Sequence, residues 1–553
     1  MVKSTLLLAV LAVGFVLRIV GIANIPPGFN QDEAAFGYNA YSLLLTGRDE
    51  WGTPFYRLPF TNLRSFGDYK LPLYAFLAVP SVKILGLNEF AVRLPNAVIG
   101  TLAIAAVYYF SKKIFDNLNI DNSFQISNFK LKIEDIASLL LAISPWSVSL
   151  SRGAFEANLV TLFFPLAAYL FLSRRYTLAA LFFALNFYSY HSARFLTPVF
   201  VIMLLIFKPP ARPNRTVFLI LLFLFTLPGL FSLTGAGARR AADVGIFSPT
   251  DDWQAVSQDR FRSVLSGVPD PLSRLFHNKL FYLADVYVRN YLGYFSPQFL
   301  FSSGPAESGY GMMPGFGVLS WISLPLLMAF IIYLVKNPGP SILLLAFLLA
   351  SPLPAALSKG GGYSANRAAV MIPFLMISCA YGFFFLVRAA GRFRQWISLA
   401  LLSSAFVFSA FYLESYFFLS PFRIGTSMFA GMRELVDRSV SISREFPVVR
   451  VGRSISEPHI FFAFYQALDP RQYQQASRNW LVFEDKGLKF LDQYDGYSLG
   501  KFRFGDLKNS EPVSQPTLYI GRAEDFPSDY PYYFRLDSLN GQPEYQVSRR
   551  DPS

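Results

Sequence analysis

The fold class this sequence predicts is a polytopic α-helical membrane protein with a soluble α/β domain at its C-terminal end. Three observations predict it. Of 553 residues, 53% are hydrophobic, 17% aromatic and only 15% charged, too apolar for an ordinary soluble protein. Apolar segments long enough to span or nearly span a bilayer recur through the first 413 residues. Beyond residue 413 the chain turns polar, with alternating runs (PVVRVGRS, PTLYIG) and a helical pattern (HIFFAFYQAL).

The first apolar stretch, Thr5 to Ile22, has no small-x-small cleavage site before Asn24-Ile25-Pro26-Pro27, so it reads as an uncleaved signal anchor and first span. Further spans are expected at about 93–110, 136–150, 157–173, 177–190, 194–207, 216–234, 319–335, 340–357, 368–388 and 396–413, eleven in all. The topology turns on Leu71–Leu87. If it does not span, the short loops carry fourteen basic residues on the cytoplasmic side and four opposite. If it does, thirteen of the fourteen move outside, against the positive-inside rule. With Pro72, Pro80 and Lys83, it reads instead as an amphipathic juxtamembrane helix at the interface. The expected organisation is a transmembrane domain over 1–413 and a soluble α/β domain over 414–553. The first loop (about 23–92), the loop at about 235–318 and the tail lie outside, and the N-terminus lies in the cytoplasm.

Composition also excludes functions. The net charge of +13 comes largely from short loops between apolar segments, so it reports topology, and no nucleic-acid partner is expected. A lone cysteine, Cys379, lies in an apolar run and offers neither a disulfide framework nor a thiolate metal site. His191, His277 and His459 are too scattered for a zinc motif. The glycine runs at 235–237 and 360–362 lack the strand–turn–helix setting of a nucleotide fingerprint.

Four features fall on one membrane face. They are Asp32-Glu33, the run Phe66–Tyr74 containing Lys70, the segment Ser151–Asn158 containing Arg152 and Glu156, and the cations His191, Arg194, Lys359 and Arg367. Carboxylates at the mouth of an apolar bundle are costly to desolvate and usually serve a substrate, ion or proton. Arginine binds phosphate as a planar fork and lysine as a point charge. Together they suit an acceptor deprotonated beside a phosphate leaving group. Each has a bland alternative. Asp32-Glu33 would also serve as N-cap and first-turn acid of a helix over Ala34–Leu45. Lys70 could snorkel, Arg152 and Glu156 could form an i,i+4 ion pair, and Arg194 and Arg367 could anchor helix ends at headgroups.

In combination, the elements NQDEAAFGYNAY, FGDYKLPLYAF, GLNEFAVRLPNAVIGTLAI and AISPWSVSLSRGAFEANL resemble the GT-C membrane glycosyltransferases of the protein O-mannosyltransferase and aminoarabinose-transferase (ArnT-like) family. The likeness covers roughly the first 200 residues, and the later half matches only in layout. The chain departs in having Lys70-Leu71-Pro72 where the family has Lys-Pro-Pro. The resemblance implies a GT-C-like fold in the plasma (inner) membrane and an inverting transferase drawing on a polyprenyl-phosphate sugar outside the cytoplasm. It implies Asp32 as base with Glu33 in support, Glu156 as second acid and Lys70 on the donor phosphate. Arg93, Arg152 and Arg194 are further phosphate or structural candidates, and Arg367 is a further phosphate candidate. The acceptor is a protein, a glycolipid or a cell-wall polymer. No cofactor or metal is expected, though two adjacent carboxylates could hold a divalent ion. The rival reading is a secondary transporter with Asp32/Glu33 as a proton or ion site, but the charges sit at loop ends and no inverted repeat is visible.

Overall fold

The computed structural model describes the chain except residues 1, 117–122, 127–128, 235–244, 248–252, 338, 340, 359–363, 481, 483–485, 487, 489–490, 508–513 and 552–553. A helix stands at each of the eleven apolar segments. Among the described residues, four helices are long and apolar enough to cross a membrane by themselves: Glu89–Asp116, Arg212–Phe231, Met371–Ala389 and the element Gly391–Ile424. The remainder are shorter, as the brevity of several apolar runs anticipates. The last long element runs through a π-turn to Ile424, past the boundary expected at 414.

One expected span is broken. In place of a continuous helix over 136–150, Ile133–Ile143 and Pro145–Arg152 meet at a bend of 54°. Pro145 has no N–H to continue the ladder, and its ring drives Ser144 into an extended conformation (φ −62°, ψ 130°). The stretch expected at the interface forms a 13-residue helix, Leu73–Leu85, begun by Pro72. At about 1.5 Å per residue it is some 20 Å long, too short to cross a bilayer core.

Close packing holds the bundle. A Cβ on Gly382 would fall onto the carbonyl of Leu326, so only glycine lets Met371–Ala389 approach Ser323–Lys336 this nearly. Arginine secures the first helix. Arg18, fully buried, donates to the carbonyls of Gly14, Ala142 and Leu141 and to Ser147 Oγ, stitching helix Val2–Ile19 to the broken one.

The first loop holds helix Gln31–Thr46 and a hairpin of β1 (Leu63–Ser65) and β2 (Asp68–Lys70). Its two-residue turn, Phe66-Gly67, has φ of 40° and 88°, the double positive-φ geometry that matches strand twist. A second hairpin, β3 (Ser123–Ile126) with β4 (Phe129–Lys132), precedes the broken helix. The tail folds into a six-stranded sheet of β5 (Val448–Gly452), β6 (Tyr497–Leu499), β7 (Phe502–Gly505), β8 (Thr517–Arg522), β9 (Phe534–Asp537) and β10 (Pro543–Arg550), in the order β6-β7-β5-β8-β10-β9. Central β5 runs parallel to β7 and β8, and the other pairs are antiparallel.

The tail packs directly on the first loop. Tyr38 Oη donates to the Leu468 carbonyl, and Gln474 Nε2 to Ser42 Oγ, Thr46 Oγ1 and the Asp49 carbonyl. Phe29 meets Phe464 with ring centroids 4.8 Å apart. Buried titratable groups line this junction. Burial lifts the Asp49 carboxyl to about 6 against backbone donors from Thr53 and Trp51 that hold it down. Burial also pushes Glu50 and Glu457 well up and brings His459 down to about 3.

Candidate active site

Asn30 starts the site. It caps helix Gln31–Thr46 from an extended conformation, its Oδ1 accepting the Asp32 N–H at 2.8 Å, while Glu33 closes a capping box. The cap is therefore Asn30, not the acidic pair, and Asp32 and Glu33 occupy the first turn, where the helix dipole favours negative charge. Neighbours in sequence, these two carboxylates point into different surroundings.

Glu33 is fully buried with every acceptor position filled. Its Oε1 accepts Arg93 Nε at 2.8 Å and the Ala154 N–H at 2.7 Å, and its Oε2 accepts Arg93 Nη2 at 2.8 Å and the Asn30 N–H at 3.0 Å. Arg93 is equally committed. Beyond Glu33 it donates to the carbonyls of Ile22 (3.0 Å), Pro26 (3.0 Å) and Gly28 (2.7 Å), so all five N–H groups are taken inside the protein. Arg152 donates to the carbonyls of Leu17 (2.7 Å), Val20 (2.7 Å) and Ile25 (2.9 Å), closing the C-terminal end of the first helix rather than pairing with Glu156 in its own segment.

Asp32 remains partly open, with its side chain 18% exposed. Its Oδ1 accepts from Lys70 Nζ at 2.5 Å and its Oδ2 from Tyr310 Oη at 3.3 Å. The hairpin turn brings Lys70 here from the end of β2. The ammonium is buried, lies 4.9 Å from the Phe66 ring centre and 5.7 Å from that of Phe36, and has a second carboxylate, Asp68, at 3.9 Å. A cation at this depth is held by charge and by aromatic faces.

Glu156 opens the short 3₁₀ turn Glu156–Asn158, next to Phe155. Asn96 Nδ2 pins that segment by donating to the carbonyls of Gly153 (2.6 Å) and Phe155 (2.8 Å). Phe155 then meets the Tyr310 ring edge-on at 5.2 Å. Glu307 lies beside Tyr310 on the same loop. Burial raises the Tyr310 phenol well above its ordinary value, and the charges of Asp32, Glu307 and Glu156 raise it further. Burial also raises the Glu307 carboxyl, opposed by Arg367 and reinforced by Asp32.

The structure therefore brings Asp32, Lys70 and Tyr310 into contact, with Glu156 and Glu307 near enough for their charges to act on Tyr310 and Arg367 near enough to act on Glu307, and it turns Glu33, Arg93 and Arg152 into bonds within the protein. Arg194 stands to one side, its Nε donating to the Phe187 carbonyl and its Nη2 to Asn62 Oδ1, both at 3.0 Å. Arg367 donates to Ser358 Oγ at 3.0 Å, and Lys359 lies outside the described residues. His191 Nε2 is 3.1 Å from the Tyr69 carbonyl, steadying the hairpin. Among the described residues, no group of three or more His, Cys, Asp and Glu side chains could hold a metal ion. Sequence reasoning missed Glu307 and Tyr310, singling out no residue in the external loop that carries them. The available signal was the run GPAESGYG, an acid and a tyrosine between turn-forming glycines in an external loop.

No family model and no curated protein matches this chain. Solved structures do match its fold. The class they define is a membrane-helix bundle with a C-terminal sheet domain. ArnT from Cupriavidus metallidurans in the apo state superposes with a TM-score of 0.53 at 10% identity, covering 99% of this chain and 98% of that one. The same protein bound to undecaprenyl phosphate gives 0.51 at 10% identity, over 99% and 97%. The Archaeoglobus fulgidus oligosaccharyltransferase aligns at 14% identity with a TM-score of 0.49, over 83% of this chain, which spans 63% of its length. The shared architecture is that of ArnT, a GT-C fold.

Proposed function

We propose that the protein is an integral membrane glycosyltransferase that moves a sugar from a polyprenyl-phosphate donor to an acceptor hydroxyl on the extracytoplasmic side, with inversion. The observation that carries this reading is the Asp32–Lys70 pair, a carboxylate and an ammonium 2.5 Å apart at a partly open helix N-terminus under Tyr310. The ArnT fold, seen elsewhere with undecaprenyl phosphate bound, supports the class of donor.

The donor phosphate would draw Lys70 from Asp32 and take its positive charge. The freed carboxylate accepts the proton of the acceptor hydroxyl as that oxygen attacks the anomeric carbon from the face opposite the phosphate. The anomeric C–O bond breaks with its electron pair going to the phosphate oxygen, and polyprenyl phosphate leaves. Glu156 orients the acceptor or Asp32, and Arg367 adds positive charge near the donor. Arg194 is a lateral phosphate candidate. Glu33 and Arg93 support the site from behind, since their hydrogen-bonding capacity is engaged within the protein, and Arg152 does so with its Nη1 and Nη2 committed to the carbonyls of Leu17, Val20 and Ile25.

Proteoliposomes given a panel of polyprenyl-phosphate sugars test the reading, with and without EDTA. Wild type should release polyprenyl phosphate with or without the chelator. Asp32→Asn should lose about 10²- to 10⁴-fold in kcat, the span of general-base catalysis. Lys70→Ala should weaken donor use, with raised KM. Undiminished turnover by Asp32→Asn would overturn the assignment, and loss of activity in EDTA would show that a divalent ion takes part in the reaction.

A further inference from the structure

Leu539 stands at the tip of the turn between β9 and β10, in the run Ser538-Leu539-Asn540-Gly541-Gln542. The turn closes without it. The Gly541 N–H donates to the Ser538 carbonyl at 2.9 Å and the Ser538 N–H to the Gln542 carbonyl at 2.8 Å, while Gly541 takes the positive φ (74°) of a three-residue hairpin loop. Turn tips favour Gly, Asn, Asp, Ser and Pro. The leucine is 65% exposed, so its side chain serves neither the turn nor the core.

Its neighbour is the last membrane-spanning element, Gly391–Ile424, most of whose apolar surface is left bare of protein. Asn540 Nδ2 donates to the Phe422 carbonyl at 2.9 Å, and Phe422, Leu536 and Leu539 line one cavity of about 420 Å³. Val407, Phe411, Phe418 and Phe422 follow one another at intervals of four, seven and four residues, all exposed, Phe418 to 70%. The stripe that the helix shows to lipid therefore runs on, without interruption, to the turn of the tail. Its reach matches the bilayer. At about 1.5 Å per residue, the charge-free stretch from Arg394 to Glu414 covers roughly 30 Å, the hydrocarbon core. Phe422 lies roughly 42 Å from Arg394, within the 40–45 Å that core and headgroups take together.

The charges beside the patch suit a phospholipid surface. Exposed Arg423, next to Phe422, donates to the neutral Ser415 Oγ at 3.3 Å and keeps its charge for a lipid phosphate. The acids lining the cavity are matched within the protein, Glu89 by Arg433, Asp537 by Arg535 and Glu544 by Arg522. We propose that the β9–β10 turn is a membrane anchor. Leu539 enters the headgroup layer beside Phe422, in the leaflet where the last spanning element ends, and holds the β9 edge of the sheet to the bilayer. With Tyr38 and Gln474 fixing the tail to the first loop, the anchor gives the tail a second attachment.

Fluorescence quenching on the full chain in phosphatidylcholine nanodiscs tests the anchor without requiring turnover. An environment-sensitive thiol dye is attached to Leu539→Cys, with Phe418→Cys as the reference in lipid and Asp551→Cys as the reference in water. Asp551 is exposed and follows the far end of β10, roughly 25 Å along the strand from the turn. Cys379 is buried, so the unsubstituted chain is the blank. Doxyl-labelled lipid should quench the Leu539 dye as strongly as the Phe418 dye and several-fold more than the Asp551 dye, and aqueous iodide should show the opposite order. A Leu539 dye no different from the Asp551 dye overturns the proposal. So does a Leu539 dye shielded from iodide but untouched by doxyl lipid, which would mean that protein, a second copy or another chain, covers the turn.

Discussion

Replacing Glu33 by glutamine separates the two members of the acidic pair. Glu33 accepts four N–H bonds, two from Arg93 and one each from Asn30 and Ala154, with no exposed surface. Glutamine keeps the volume but turns an NH₂ toward two of these donors and removes the charge opposite Arg93. Breaking a buried ion pair from one side costs about 3–5 kcal/mol, because the remaining charge is left uncompensated. That corresponds to a factor of about a hundred to a few thousand in the folded-to-unfolded ratio. Tryptophan fluorescence during thermal unfolding in detergent measures it, beside turnover per folded molecule in proteoliposomes well below the transition. Glu33→Gln should unfold far earlier than wild type yet retain turnover within several-fold, and Asp32→Asn should do the reverse. A Glu33→Gln protein as stable as wild type but as inactive as Asp32→Asn would refute the division of roles.

Three further outcomes follow from the same geometry. Tyr310→Phe removes a hydroxyl 3.3 Å from Asp32 Oδ2 and should lower kcat by about three- to tenfold, one hydrogen bond's worth, which steady-state kinetics would detect. Asp49, raised by burial from 3.8 to about 6, keeps in the folded state a proton that the unfolded chain loses, so its contribution to stability falls as pH rises from about 4 to about 6. Its full effect is about 3 kcal/mol, and melting at pH 4.5 and 7 should show Asp49→Asn gaining on wild type at the higher pH. Gly382→Ala should reduce thermal stability sharply, because its methyl would overlap the Leu326 carbonyl; a melting temperature within a degree of wild type would contradict the close approach.

The sequence by itself carried the positions of the helices, because bilayer burial demands long apolar runs. It also carried the polar tail and the short helix after Pro72. Asp32 and Lys70 could be singled out because ionisable groups beside apolar helices are conspicuous. What each charge does was a tertiary matter. Glu33 differs from Asp32 only by the 100° step of a helix, yet that step turns one carboxylate into the packed interior against Arg93 and leaves the other at the mouth. Arg93 and Arg152 read in the sequence as phosphate or structural candidates, and only the fold shows Arg93 committed to Glu33 and first-loop carbonyls and the Arg152 Nη groups to carbonyls of the first helix and the turn after it. Glu307 and Tyr310 reach Asp32 across 275 and 278 positions. Such contacts are made by chain reversal and packing, which have no local period to read, so the site was composed by tertiary structure from residues whose chemistry alone the sequence could announce.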